Sequence, residues 1–175
     1  MRWIWIDRIV ELVPRERLVA IKNISLAEDY LHDHFPARPA SDGVPARLPL
    51  PVMPASLIIE GMAQSAGILV GHAQEFREKV ILAKISRARI DLDATPGHTI
   101  RYTATLERID RAGASTTGLI ELLDPMGATP PEAIGYVDLI FSHIDQNMAG
   151  HEFPAGNFVF DSALMDVLGA AEGSI

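Results

Sequence analysis

No cysteine occurs among the 175 residues, which excludes a disulfide framework and a thiolate nucleophile. Cationic charge is sparse: 15 Lys and Arg stand against 23 Asp and Glu, for a net charge of −8 and an isoelectric point near 5.1. That balance argues against nucleic acid as the main partner. Long apolar runs are missing too. The most apolar stretch, Leu57–Val70, is too short to span a bilayer and carries Glu60 and Gln64, so no membrane insertion is expected. The N-terminal Met1-Arg2-Trp3-Ile4 has neither the apolar core nor the small-residue cleavage site of a signal peptide, and a cytoplasmic location is the expectation. No internal repeat is found.

What is present is ordinary for a globular protein: 48% hydrophobic and 22% charged residues. The length suits one domain with a real core, taken as residues 1–175. Ile9–Val13 and Leu18–Ile24 are β-prone runs around Pro14-Arg15-Glu16-Arg17 and predict a hairpin. Leu26–Leu31 predicts a short turn or helical stretch. Six of the chain's twelve prolines fall between Pro36 and Pro54. Proline fixes φ and lacks an N–H, so this stretch is neither a helix interior nor a central strand. A loop of that length is either a lid or a disordered excursion.

Met53 precedes a proline and should be extended, with Pro54 at the first position of a helix. From Leu57 to Val70 the apolar residues surround nearly the whole helix, and such a helix is buried. Gly61, Ala63, Ser65, Ala66 and Gly67 let a sheet approach it closely. Glu60 and Gln64 lie one turn apart on one face. The rest is strand by pattern. Val80–Ile85 and Ser86–Leu92 come first. Ile100, Tyr102, Ala104 and Leu106 then alternate with Arg101, Thr103, Thr105 and Glu107. Ala114–Leu123 and Ile134–Ile144 follow. Short turns between them predict an antiparallel sheet.

The chemistry-bearing residues form a split motif, His34-Phe35-Pro36 on one side of the proline-rich loop and Pro51-Val52-Met53-Pro54-Ala55-Ser56-Leu57-Ile58-Ile59-Glu60-Gly61-Met62-Ala63-Gln64 on the other. A carboxylate in such apolar surroundings needs a partner or a task, and His34 is the candidate partner. An isolated histidine is more often a surface or capping residue; the surrounding motif reverses that preference. His32-Asp33-His34 has no further ligands at metal-site spacing.

These residues resemble the signature of the FabZ/FabA-type β-hydroxyacyl-[acyl-carrier-protein] dehydratases. The similarity extends upstream through Ile6–Leu12 and Val19–Ser25 and downstream through Ala88-Arg89-Ile90, covering roughly residues 4–144. Glu60, rather than Asp, favours the FabZ-like branch. The resemblance implies an α+β hotdog fold, an antiparallel sheet wrapped around a long central helix. It implies dehydration of a 3-hydroxyacyl thioester to the trans-2-enoyl thioester, as in fatty acid biosynthesis. The substrate is carried by acyl carrier protein or coenzyme A. It implies no metal and no bound cofactor, since the phosphopantetheine arm belongs to the substrate. A homodimer is the minimum unit, open to assembly into a trimer of dimers, with histidine and carboxylate supplied by different subunits.

In that reaction His34 is the expected base and Glu60 the group that donates to, or orients, the departing hydroxyl. The N–H groups of Ala55 and Ser56, after Pro54 at the helix start, are expected to hold the thioester oxygen. Phe35, Pro54 and Gln64 complete the expected substrate-binding set; Gln64 also reads as a structural residue that bonds backbone or orients Glu60. Ala55 stands where the family carries glycine, as do Asp33 and Ala37 around the histidine motif, and these departures bear on efficiency and substrate range. Ala40–Leu50 reads as an insertion near the tunnel entrance, and residues 145–175 as an extension in which Asp161 caps and Gly169 ends a short helix. Lys84, Arg87 and Arg89 are one candidate basic cluster for an acidic carrier, or simply solvated strand charges. Two rivals stand beside the dehydratase: a thioesterase of the same fold and a noncatalytic acyl-binding protein. An enoyl thioester separates the first, since a dehydratase hydrates it and a hydrolase frees the thiol.

Overall fold

The computed structural model of the protein describes residues 3–33, 35–144 and 165–169. The first hairpin forms as expected, β1 (Arg8–Val13) pairing antiparallel with β2 (Arg17–Asn23) across a turn in which Arg15 takes a left-handed φ of 61°. A short helix, α1 (Asp29–Asp33), leads to His34, which itself lies outside the described residues. The 19-residue helix α2 (Ala55–Ala73) follows the proline-rich segment. Four strands follow: β3 (Lys79–Ile90), β4 (Thr99–Ile109), β5 (Gly113–Leu123) and β6 (Glu132–Ile144).

Among the described residues these strands make one antiparallel sheet in the order β1-β2-β4-β5-β6-β3. Its concave face wraps α2. This is the hotdog arrangement, and the alternation in β4 shows why it forms. Ile100, Tyr102 and Ala104 point to the helix and are fully buried, while the residues between them are only partly covered. Ile58, Met62, Ala66, Leu69 and Val70 meet them from α2. Gly61 permits a close approach: a Cβ there would lie 2.5 Å from the Tyr102 hydroxyl and 2.8 Å from the Trp5 carbonyl.

Three expectations need correction. Pro54 is the N-cap of α2 rather than its first residue, because its ψ of 135° is extended and the first helical bonds are those from Leu57 and Ile58 back to its carbonyl. The two strands expected over 80–92 are one strand, β3, whose pairing with β6 slips between Leu82 and Lys84 and again between Ile85 and Arg87. Bulges absorb the residues that break the alternation.

The segment expected as a lid or disordered excursion is a folded hairpin. Arg38 pairs with Arg47 and Ser41 with Val44, around a two-residue turn in which Asp42 and Gly43 both have positive φ. Asp-Gly is the pair such a turn favours.

Helix α2 is not covered all round. Leu57, Glu60, Gln64 and Gly67 form a stripe at helical spacing that stays half-buried. The outer edge of β3 is unpaired, and Leu82, Ile85, Tyr136 and Ile140 are exposed on β3 and its neighbour β6. The helix expected over 161–169 is described only at 165–169, which is helical, with Leu168 buried against the core; Asp161 and the phenylalanines Phe153, Phe158 and Phe160 lie outside the described residues. No helix among the described residues is long and apolar enough to cross a membrane.

Candidate active site

Glu60 sits on the half-buried stripe of α2, one and a half turns from the helix start, and its position is held by Gln64. The Gln64 side-chain amide donates to Glu60 Oε1 at 3.0 Å and to the Trp3 carbonyl at 3.0 Å. Its own Oε1 accepts the Trp5 backbone N–H at 2.8 Å. Both amide N–H bonds are therefore taken within the chain, so Gln64 fixes the Glu60 carboxylate and pins the N-terminal segment across the helix. That is the structural role expected for it; direct contact with a substrate is left only its carbonyl oxygen.

Ser56, in the first turn of α2, lies one helical turn away from Glu60. Ala55 and Ser56 are exposed, and their N–H groups precede the first intrahelical bonds, those donated by Leu57 and Ile58 to the Pro54 carbonyl at 2.9 and 3.1 Å. Partial positive charge gathers at such a terminus. Glu60 and these N–H groups thus flank one end of the half-buried stripe: a carboxylate able to exchange a proton and a pair of donors able to hold an oxyanion.

His34 cannot be placed beside them, but its neighbours can. Phe35 is half-buried, its carbonyl accepting the Leu50 N–H at 3.0 Å, with the Arg47 guanidinium 5.6 Å above its ring. On the other side, α1 is anchored by an ion cluster around the buried Lys22 that sequence reasoning missed. Lys22 Nζ donates to Glu28 at 2.6 Å and to Asp7 at 3.1 Å, and Asp7 also accepts the Asn23 backbone N–H at 2.7 Å. Tyr30 of α1 packs edge-on against Trp5, ring centroids 5.2 Å apart. Burial pushes the Tyr30 phenol pKa upward; the Glu28 carboxylate adds to this from nearby, without closing a hydrogen bond. The N-terminal segment therefore touches Gln64 in the α2 half of the motif and Tyr30 on the short helix that precedes the other half. The alternation of Trp3 and Trp5 was the only signal for it in the sequence.

The expected basic cluster is largely neutralised. Arg87 pairs with Asp138 at 2.9 Å and Arg89 with Asp91 at 2.7 Å, leaving Lys84. Among the described residues no group of three His, Asp or Glu side chains is arranged to hold a metal ion.

Comparison with known proteins bears on the same region. Residues 49–122, which contain the α2 half of the motif, match the family model of the FabA-like domain. The chain is 36% identical over 110 residues to the 3-hydroxyacyl-[acyl-carrier-protein] dehydratase FabZ of Alkalilimnicola ehrlichii, an alignment covering 61% of this chain and 63% of that one. It is 30% identical over 125 residues to the FabZ of Caldanaerobacter subterraneus subsp. tengcongensis, covering 71% of this chain and 80% of that one. The chain thus spans just under two thirds of the Alkalilimnicola relative and most of the Caldanaerobacter one. In structure it is similar to a chain of the dehydratase heterocomplex ApeI:P from Xenorhabdus doucetiae, with a TM-score of 0.59 at 15% identity over 82% of this chain and 84% of that one. At that identity the likeness speaks for the fold.

Proposed function

This chain belongs to the FabZ family of hotdog-fold dehydratases, and from that premise we propose that it removes water from a 3-hydroxyacyl thioester carried by acyl carrier protein, giving the trans-2-enoyl thioester. The observation that carries the reading is Glu60, held by Gln64 on the incompletely covered stripe of α2, next to the free N–H groups of Ala55 and Ser56.

In this mechanism the thioester oxygen is held by the N–H groups of Ala55 and Ser56. His34 takes the α-proton, and the electron pair of that C–H bond becomes the new double bond. The β-carbon–oxygen bond breaks, and Glu60, entering the step as the acid, supplies the proton with which the hydroxyl leaves as water. His34 is then protonated and Glu60 ionised; a proton passed from one to the other restores both. Chemistry of this kind draws on no metal and no bound cofactor, because the pantetheine arm arrives with the substrate.

The working unit in this reading is a homodimer in the cytoplasm. Two observations support the dimer: the half-buried stripe Leu57, Glu60, Gln64 and Gly67, and the unpaired β3 edge with exposed Leu82 and Ile85 beside it. An uncovered strand edge is a template for pairing with another chain. His34 of one subunit then serves Glu60 of the other.

Complementation tests both claims. His34→Ala and Glu60→Gln should each lower dehydration by orders of magnitude while remaining folded. Refolded as an equal mixture, half the dimers are mixed and each mixed dimer holds one intact site. Activity should return to about a quarter of wild type. No recovery, with mixed dimers shown to form, would refute a shared site. Free thiol from an enoyl thioester, in place of hydration, would mean a hydrolase.

A further inference from the structure

The geometry points to the inserted hairpin as a docking element for the carrier protein, in which the paired Arg38 and Arg47 guanidinium groups take the phosphodiester that joins the pantetheine arm to its carrier. The inference rests on the dehydratase reading above. Arg38 and Arg47 stand directly opposite each other, exchanging both backbone N–H···O bonds at 2.9 Å. Like charges in that relation repel and weaken the pairing.

No carboxylate neutralises either arginine among the described residues, although acidic groups outnumber basic ones in the chain. Several other arginines are neutralised, Arg17 by Glu11, Arg87 by Asp138, Arg89 by Asp91, Arg101 by Glu121 and Arg108 by Asp110, whereas Arg8, Arg15 and Arg111, like the hairpin pair, show no carboxylate partner among the described residues. The one carboxylate of the hairpin, Asp42, lies at the turn and makes no ion pair with either arginine.

The pair is also held in place. Arg47 lies over Phe35 and donates to the Pro36 carbonyl at 3.0 Å; Arg38 donates to the Pro45 carbonyl at 3.4 Å. Each fork keeps further N–H groups free for the oxygens of a phosphodiester. Prolines at 36, 39, 45 and 49 limit the freedom this arm would otherwise lose on binding.

The surroundings favour a protein over a small anion. Val44, Leu48 and Leu50 are exposed on the same arm, Leu48 to 83%. Apolar groups bordering a cationic pair form a mixed surface of the kind protein partners cover. The hairpin joins Phe35, next to His34, to the start of α2. A carrier held there would hand its arm to the site from the entrance side.

Binding, read apart from turnover, tests this. Wild type and Arg38→Ala/Arg47→Ala are titrated with labelled acyl carrier protein in its holo and apo forms, and with coenzyme A, at low and moderate salt. The holo affinity should fall about tenfold in the variant and lose much of its salt dependence, while apo carrier binds both proteins weakly and alike. An unchanged holo affinity overturns the proposal. So does an equal loss for holo and apo carrier, which would put the arginines on the carrier's own side chains, and so does a loss confined to coenzyme A.

Should the alanine variant melt lower than wild type, Arg38→Lys/Arg47→Lys takes its place; it keeps the charge without the fork, and full holo affinity in it overturns the bidentate contact. Wild-type turnover of carrier-bound substrate is measured alongside. Arginine-dependent holo binding with no dehydration sinks the dehydratase reading and leaves the docking element standing. Dehydration with arginine-independent binding does the reverse.

Discussion

Gln64 donates to Glu60 Oε1 at 3.0 Å from the next turn of the same helix, and its oxygen accepts the N–H of Trp5, 59 residues away in sequence. One side chain thus orients the carboxylate of the site and closes the N-terminal segment over the helix.

Replacing Gln64 separates these roles. Gln64→Leu leaves the Trp5 N–H and the Trp3 carbonyl without their partner and frees Glu60. The expected result is a loss of about 1–3 kcal/mol in stability with a fall in kcat. Gln64→Glu keeps an acceptor for Trp5 but sets a second carboxylate against Glu60, so it should recover part of the stability and little of the activity. Chemical denaturation and steady-state kinetics on both variants check this; equal recovery of both properties would show that orientation of Glu60 is immaterial.

Gly61 is a point of close contact between helix and sheet. A methyl group there would sit 2.5 Å from the Tyr102 hydroxyl and 2.6 Å from the ring carbon bearing it. The ring is fully buried, and the Trp5 carbonyl closes the third side, so the methyl cannot be accommodated by a small rotation. Gly61→Ala should destabilise by about 1–3 kcal/mol through overpacking, despite the better helix propensity of alanine. Thermal melting is the measurement, with Gly169→Ala as control, because a Cβ at that exposed helical glycine meets nothing within 4 Å.

Lys22 is buried between Asp7 and Glu28, with only 8% of its side chain exposed. Lys22→Met removes the cation and leaves Glu28 half-buried beside Tyr30. A loss of about 1–3 kcal/mol is expected, reduced because Asp7 is more than a third exposed and is screened by solvent. Melting of Lys22→Met against Lys22→Met/Glu28→Gln checks the cause: the double variant should be the more stable of the two.

Elements governed by local periodicity were legible in the sequence. The apolar cylinder of α2 and the alternation of Ile100, Tyr102 and Ala104 specify a buried helix against one face of a sheet, and the structure forms both. What was not legible depends on register or on distant contacts. Ser86 interrupts an apolar pattern and suggests a break, yet β6 supplies a continuous partner and its Asp138 carbonyl accepts the Ser86 hydroxyl at 3.1 Å, so the strand runs on through a bulge. Asp42-Gly43 is a turn signal, but six prolines around it obscured the hairpin. The opposition of Arg38 and Arg47 follows from that hairpin's register alone. Nothing near Trp3 or Trp5 announces Gln64 as their partner. Glu60 and Gln64 on one face follow from helical spacing; what stands opposite them does not.

The Tyr102 hydroxyl is fully buried and has no hydrogen-bond partner among the described residues. Burial, and then the neighbouring Tyr30 and Asp7, raise its pKa above the ordinary 10.0 of tyrosine. A raised value means that the folded protein holds this proton more tightly than the unfolded chain does. The resulting stabilisation is fully present below about pH 10 and is lost as pH rises from there toward the folded value. Wild type should therefore melt progressively lower above about pH 10. Tyr102→Phe cannot ionise, so its melting temperature should fall less steeply over the same range. At neutral pH the substitution removes an unpartnered buried hydroxyl and keeps the ring that packs against Gly61, so its cost should be within about 1 kcal/mol, or the variant should be stabilised. Tyr30 lies in the same polar cluster with its pKa also raised by burial and Glu28, and Tyr30→Phe should flatten the alkaline limb further when added. Melting curves at neutral pH and on both sides of pH 10 for wild type, Tyr102→Phe and the double variant decide the matter. An alkaline slope that Tyr102→Phe leaves unchanged would mean that the phenol is not what the folded state protects.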